Sequence, residues 1–159
     1  VDGYDNTLAN MRIYGARRGV VINAGGCSLR DIHPLYAMDM KQYPRSIGFE
    51  INTQHVWMNF CYSDQFATAF RFGPRGRGVL DNCFVFWYMS KKDMRHVAFS
   101  CAGKFDSQVR SPTVCFKSSE ASNTLLEVGA PDGKGFLRDV DCNLDRVNDP
   151  ARTHEKYLR

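Results

Sequence analysis

One short pattern recurs along this chain: an apolar residue, any residue, Asn or Asp, then an apolar residue. It reads Leu8-Ala9-Asn10-Met11, Leu29-Arg30-Asp31-Ile32, Trp57-Met58-Asn59-Phe60, Leu80-Asp81-Asn82-Cys83 and Leu137-Arg138-Asp139-Val140, with a weaker copy at Gln108-Val109. The Asn/Asp-type position falls at 10, 31, 59, 82, 108 and 139, so the intervals are 21, 28, 23, 26 and 31 residues. Between these copies run stretches of strict alternation around two large apolar residues. They are Gly19-Val20-Val21-Ile22-Asn23, Gly48-Phe49-Glu50-Ile51-Asn52, Ala69-Phe70-Arg71-Phe72-Gly73, Val97-Ala98-Phe99, Val114-Cys115-Phe116 and Leu126-Glu127-Val128-Gly129.

Alternation at period two turns one face inward and the other outward. The expected inward pairs are Val20/Ile22, Phe49/Ile51, Phe70/Phe72, Val97/Phe99, Val114/Phe116 and Leu126/Val128. A single copy cannot bury that face, whereas a stack of copies can. The repeat therefore predicts an all-β solenoid, a right-handed single-stranded parallel β-helix of about six rungs, each with at least two strands. Strands spaced ~4.8 Å apart make this a rod only ~25–30 Å long. Asn or Asp at the bends suits a left-handed backbone, and stacked Asn can bond from rung to rung. Glu50 is expected to face outward, one rung from Arg71, as a cross-strand ion pair. The helix is expected over residues 1–143, with 144–159, where alternation is lost, as a C-terminal cap or a linker. A β-sandwich of short strands is the alternative.

With 159 residues, the chain has one domain's worth of sequence and can bury a core without disulfides or metal. Hydrophobic residues make up 43% and charged ones 24%, a globular rather than a disordered balance. The net charge of +4 suits an acidic polysaccharide or a nucleic acid, though solubility alone explains it equally. The six cysteines form no CxxC pair and mostly sit in apolar runs, so they are read as reduced packing residues made in a reducing compartment. No apolar run nears the roughly 20 residues of a membrane span, and no signal peptide is read. Val1 in place of Met points to a piece cut from a longer protein.

The phrases Gly19-Val20-Val21-Ile22-Asn23 with Ser28-Leu29-Arg30-Asp31-Ile32, and Gly48-Phe49-Glu50-Ile51-Asn52 with Val56-Trp57-Met58-Asn59-Phe60, resemble rungs of the pectate-lyase-like β-helix superfamily. The likeness covers roughly residues 6–143 and rests on rung grammar. Within that superfamily, the aromatic-rich rungs and long loops look most like a bacteriophage tailspike or tail-fibre segment. The resemblance implies a homotrimer in a virion that binds, and in some members cleaves, a cell-surface polysaccharide as a glycoside hydrolase or polysaccharide lyase. A non-catalytic adhesive fibre is the second function it implies. Function carried by fold alone is analogy.

Loops that leave a rigid scaffold are where function concentrates. Three stand out: His33–Arg45, the basic turn Gly73–Gly78, and Trp87–Arg95. Aromatics beside Lys and Arg suit sugar rings and anionic groups. The candidate substrate-binding residues are Tyr36, Lys41, Tyr43, Arg45, Arg75, Arg77, Trp87 and Tyr88, although Tyr36, Trp87 and Tyr88 read equally as cover for the solenoid wall. Glycoside hydrolysis needs two carboxylates, ~5 Å apart for retention or ~6.5–9.5 Å for inversion. Asp39, Asp64, Asp93 and Asp106 are the candidates, and no spacing selects a pair. A lyase needs a base near a cation, for which His33, Lys41 or Arg71 qualify. His55 and His96 are expected to cap or pack. No ligand spacing, phosphate loop or Gly-x-Ser-x-Gly elbow is present, so no metal, cofactor or nucleic-acid partner is expected.

Overall fold

The computed structural model describes residues 1–36, 41–88, 93–116 and 121–144. Within them the chain is all-β apart from one 3-10 turn at Tyr43–Arg45, and its strands form two parallel sheets. The five-stranded sheet consists of β2 (Arg18–Ile22), β4 (Ile47–Ile51), β7 (Thr68–Phe72), β10 (Arg95–Lys104) and β13 (Ser122–Ala130), in that spatial order. The ten-stranded sheet holds β1 (Thr7–Tyr14), β3 (Cys27–Leu35), β5 (Val56–Asn59), β6 (Tyr62–Asp64), β8 (Gly78–Asp81), β9 (Phe84–Trp87), β11 (Gln108–Arg110), β12 (Thr113–Phe116), β14 (Phe136–Arg138) and β15 (Asp141–Leu144). None of the described helical segments is long and apolar enough to cross a membrane.

The ten-stranded sheet divides into two ladders that share β1 and β3. In the first, Leu8, Leu29, Met58, Leu80, Val109 and Leu137 are in register from β1 to β14. In the second, Ser63, Val85, Val114 and Cys142 run in register from β6 to β15. From β3 onward the chain visits the second ladder, the five-stranded sheet and then the first ladder, and repeats the cycle to β15. Every turn of that cycle adds one parallel strand to each ladder.

The expected inward pairs Val20/Ile22, Phe49/Ile51 and Phe70/Phe72 are buried on the five-stranded sheet, as are Val97 and Phe99. Two expectations need correcting. Val114 and Phe116 are buried, but β12 pairs with β9 and β15 in the second ladder. The five-stranded sheet thus has one strand fewer than the six expected. Val128 is 39% exposed because β13 is the last strand of that sheet, with no further described rung to cover it. At the centre, the Phe49, Phe70 and Phe99 rings stack with centroids 4.9 and 5.5 Å apart. Trp87 and Phe116 stack likewise at 5.0 Å, and all six cysteines are free thiols.

The corner between the two ladders explains the Asn/Asp pattern. Asn10, Asp31, Phe60, Asn82, Ser111 and Asp139 all have φ between 48° and 55°. Four of these are the expected Asn/Asp residues, whose short polar side chains tolerate the left-handed region. The expected positions 59 and 108 are replaced by Phe60 and Ser111. The slip at Asn59 has a simple cause: Met58, 1% exposed, enters the core, while Trp57, 50% exposed, faces solvent. Stacked Asn does occur, at the corner after the five-stranded sheet. There Asn52 Nδ2 donates to Asn23 Oδ1, and Asn23 Nδ2 donates to Asp2 Oδ1, each at 3.0 Å. On the next rung stands Gly73, where a Cβ would lie 2.5 Å from Asn52 Oδ1. Residues 145–159, most of the expected cap or linker, lie outside the described residues.

Candidate functional site

The outward positions of the five-stranded sheet carry Val21, Glu50, Arg71, Ser100 and Glu127 in register. Arg17 and Arg18 flank them at the start of β2, Arg45 ends the 3-10 turn, and Arg95 opens β10. A cleft of about 620 Å³ on this face is lined by Arg17, Arg18, Arg45, Arg71 and Arg95, with Glu127 the carboxylate among its described lining residues. Two of the five guanidinium groups are matched. Arg18 Nε lies 3.3 Å from the buried Glu50 Oε2, and Arg95 Nη2 lies 2.7 Å from Glu127 Oε1. Ser100 Oγ donates to Glu127 Oε2 at 3.3 Å. Arg17 reaches the Gln42 amide oxygen, at 3.4 Å. Among the described residues Arg17, Arg45 and Arg71 meet no carboxylate. The register of Glu50 with Arg71 is as expected, but Glu50 takes Arg18 as its ion-pair partner and leaves Arg71 open to the cleft.

A second constellation lies on the outward side of the second ladder. His33, Tyr62 and Phe84 sit on successive strands. The His33 and Tyr62 rings stack at 4.0 Å, and Phe84 meets Tyr62 edge-on at 4.8 Å. His33 Nε2 is 3.5 Å from Asp64 Oδ2, ion-pair range but long for a hydrogen bond. Burial lowers the His33 pKa and Arg12 adds to that, while Asp64 opposes both. Burial first, and Asp64 second, raise the Tyr62 phenol well above its usual range. The lowered pKa favours the neutral imidazole, which stacks on the Tyr62 ring beside the Asp64 side chain.

The candidates from sequence distribute unevenly over this geometry. Arg45 lines the arginine cleft. Asp93 joins Arg95 and Tyr43 at an adjoining cavity of about 220 Å³. Asp64 belongs to the His33 pair, and Asp106 pairs with Arg77 at 3.0 Å on the other sheet. The three described aspartates thus stand in three separate sets of contacts, and Asp39 lies outside the described residues. Lys41, Arg75 and Tyr88 are exposed. Tyr36 and Trp87 are buried at 4% and 0% exposure, and Tyr43, 2% exposed, borders the cavity of about 220 Å³. Tyr36 and Tyr43 pack with Phe66, Ala67, Met94 and Ala121 in a small second core, and Trp87 Nε1, from the main core, donates to the Phe66 carbonyl at 2.6 Å. Sequence reasoning missed Arg17, Arg18 and Arg95 as site residues. Arg17 and Arg18 stand at the start of β2 and Arg95 at the start of β10, and only the Glu50–Arg71 alternation hinted that the outward face of this sheet is charged.

In comparisons with known proteins, no family model, no curated protein and no solved structure matches this chain.

Proposed function

We propose that this chain is a right-handed parallel β-helix that binds an acidic polysaccharide along the arginine-lined cleft of its five-stranded sheet. Two features support the helical winding: the cyclic order in which strands join their ladders, and the strong right-handed preference of parallel crossover connections. The observation that carries the ligand class is the surplus of guanidinium groups in the cleft of about 620 Å³, with Arg17, Arg45 and Arg71 unmatched by carboxylates among the described residues. A guanidinium presents a rigid fork that grips a carboxylate or sulfate through two hydrogen bonds. Successive rungs space such forks ~4.8 Å apart or at multiples of it, which suits a polymer with regularly repeated acidic groups. Binding is preferred to hydrolysis because Asp64, Asp93 and Asp106 occupy separate contacts instead of facing one another as a catalytic pair must.

Calorimetric titration with galacturonan, alginate, hyaluronan, neutral dextran and duplex DNA tests this. At least one acidic polysaccharide is expected to bind, with an affinity that falls log-linearly as salt is raised. Arg71→Ala is expected to weaken that binding roughly 10-fold, the loss of one charged hydrogen-bonding contact, with the melting temperature unchanged. Equal affinity for dextran, tighter binding of DNA than of every acidic glycan, or indifference to the Arg71 substitution would each overturn the proposal. Release of unsaturated or reducing-end product would replace binding by cleavage.

A further inference from the structure

A smaller cleft, of about 290 Å³, opens on the outward side of the first ladder, on the other sheet. Trp57, Val79 and Gln108 form its floor, in register on β5, β8 and β11. They span three strands, or ~10 Å. Trp57 is 50% exposed although it sits within a strand. The His55 ring lies 6.5 Å from it with the planes 19° apart. His55 stands at φ 60°, in the left-handed region that His, Asn and Asp enter more readily than other side chains. On the rim, Arg77 Nη2 pairs with Asp106 Oδ2 at 3.0 Å, and Asp106 Oδ1 accepts the Lys134 N–H at 2.9 Å. The backbone contact fixes the carboxylate, and the carboxylate in turn fixes and neutralises the guanidinium.

We propose that this cleft is a second glycan subsite, one that stacks an uncharged hexose ring of an oligosaccharide on Trp57. The indole and Val79 offer an apolar bed for the C–H face of a pyranose. Asp106 accepts hydrogen bonds, Arg77 donates them, and the Gln108 and Gln54 amides do both, which is the mixture that a ring bearing several hydroxyls satisfies. A purely apolar ligand would leave these polar groups covered and unpaired. An acidic ligand would meet a rim whose Arg77 charge is already balanced by Asp106. The three-strand span accommodates a disaccharide length of chain. This subsite is independent of the arginine cleft: it lies on the other sheet, shares no lining residue with it and takes an uncharged sugar.

The chain carries its own reporter. It has two tryptophans, of which Trp87 is fully buried and Trp57 half exposed, so iodide quenching of the emission reads Trp57. Hexasaccharides of the malto-, cello-, chito-, laminari- and manno-series are titrated against the full chain. At least one series is expected to shift the emission and protect it from iodide, with a Kd on the order of 1 mM or tighter. By calorimetry, Trp57→Ala is expected to weaken that binding at least ~10-fold and Asp106→Asn to weaken it as well. Trp57→Phe retains a smaller ring; it is expected to bind with intermediate affinity and stands in should the alanine variant fold poorly. Failure of all five series to protect Trp57 at concentrations on the order of 10 mM, or unchanged binding by the Trp57 variants, would overturn the subsite. Either result would leave the acidic-polysaccharide proposal standing, because that is read with other ligands and another variant.

Discussion

Replacing Phe70 with Ala is expected to lower the stability of the fold by about 3–5 kcal/mol. Phe70 is fully buried and stacked between Phe49 and Phe99, so its ring is the middle member of the aromatic column inside the five-stranded sheet. Truncation leaves a cavity that neither neighbour can fill, because both are pinned by the register of β4, β7 and β10. The two ring–ring contacts are lost as well, each worth roughly 0.5–1.5 kcal/mol beyond area burial. Domains of this size are stable by about 5–15 kcal/mol, so the loss is a large fraction of the total. Urea titration should show a lower midpoint at an unchanged slope. Phe60→Asn is the contrasting substitution. Phe60 is 54% exposed at a left-handed corner where other rungs place Asn or Asp, so stability should be unchanged or slightly higher. Equal losses at both positions would mean that the Phe70 column is not the core.

Acid is the second large lever, acting through His96. The ring is fully buried, stacked on Trp87 at 4.9 Å, with the Tyr43 ring edge-on at 6.1 Å. Its Nδ1–H donates to Asn123 Oδ1 at 3.0 Å, whereas Nε2 is buried without a partner among the described residues. Protonating Nε2 would bury a charged N–H with no acceptor. Burial therefore depresses the His96 pKa from 6.5 to about 4, against a smaller upward pull from Asn123. Between these two values the unfolded chain binds more protons than the folded one, so stability falls as pH falls. The contribution is complete above pH 6.5 and is lost progressively toward pH 4, amounting to about 3 kcal/mol. Depression of the His33 pKa acts in the same direction. Urea midpoints of the parent chain and of His96→Gln, compared at pH 7 and pH 4.5, isolate the effect. The parent should lose distinctly more stability than the variant on acidification, and parallel losses would show that His96 titrates normally.

The rung grammar was legible because period-two alternation with large apolar residues has few ways to be buried. It failed where two neighbours were equally apolar. Trp57 and Met58 both fit the ladder position, and only the packing that buries Met58 decides between them. Val114-Cys115-Phe116 was assigned to the wrong sheet for a related reason: alternation marks an inward face and does not say which of three ladders the strand joins. The Asn/Asp signal was correct at Asn10, Asp31, Asn82 and Asp139 because the left-handed corner is a local backbone demand. Phe60 and Ser111 meet the same demand without the preferred residue type, so the tertiary stack overrides local preference there. The candidate site was far less legible. Trp87 and Tyr43 lie near lysines and arginines in sequence, as a sugar platform would, yet Trp87 stacks on Phe116 in the main core and Tyr43 packs with Tyr36 and Phe66 in a smaller one. The arginine cleft gathers Arg17 and Arg18 with single arginines tens of positions further on, and only strand register brings Arg18, Arg71 and Arg95 to one face.

The most direct measurement of the acidic-polysaccharide proposal is side-chain NMR of the arginine Nε–Hε groups during addition of short fragments of galacturonan, alginate and hyaluronan. The expected result with at least one of the three is a set of shifts concentrated on Arg17, Arg18, Arg45, Arg71 and Arg95. Arg75, exposed at its turn, and Arg110, held by both oxygens of Asp81 at 2.5 and 2.6 Å, should stay in place. Shifts spread evenly over all the arginines, or concentrated on Arg75 and Arg110 with the cleft signals unmoved, would contradict it.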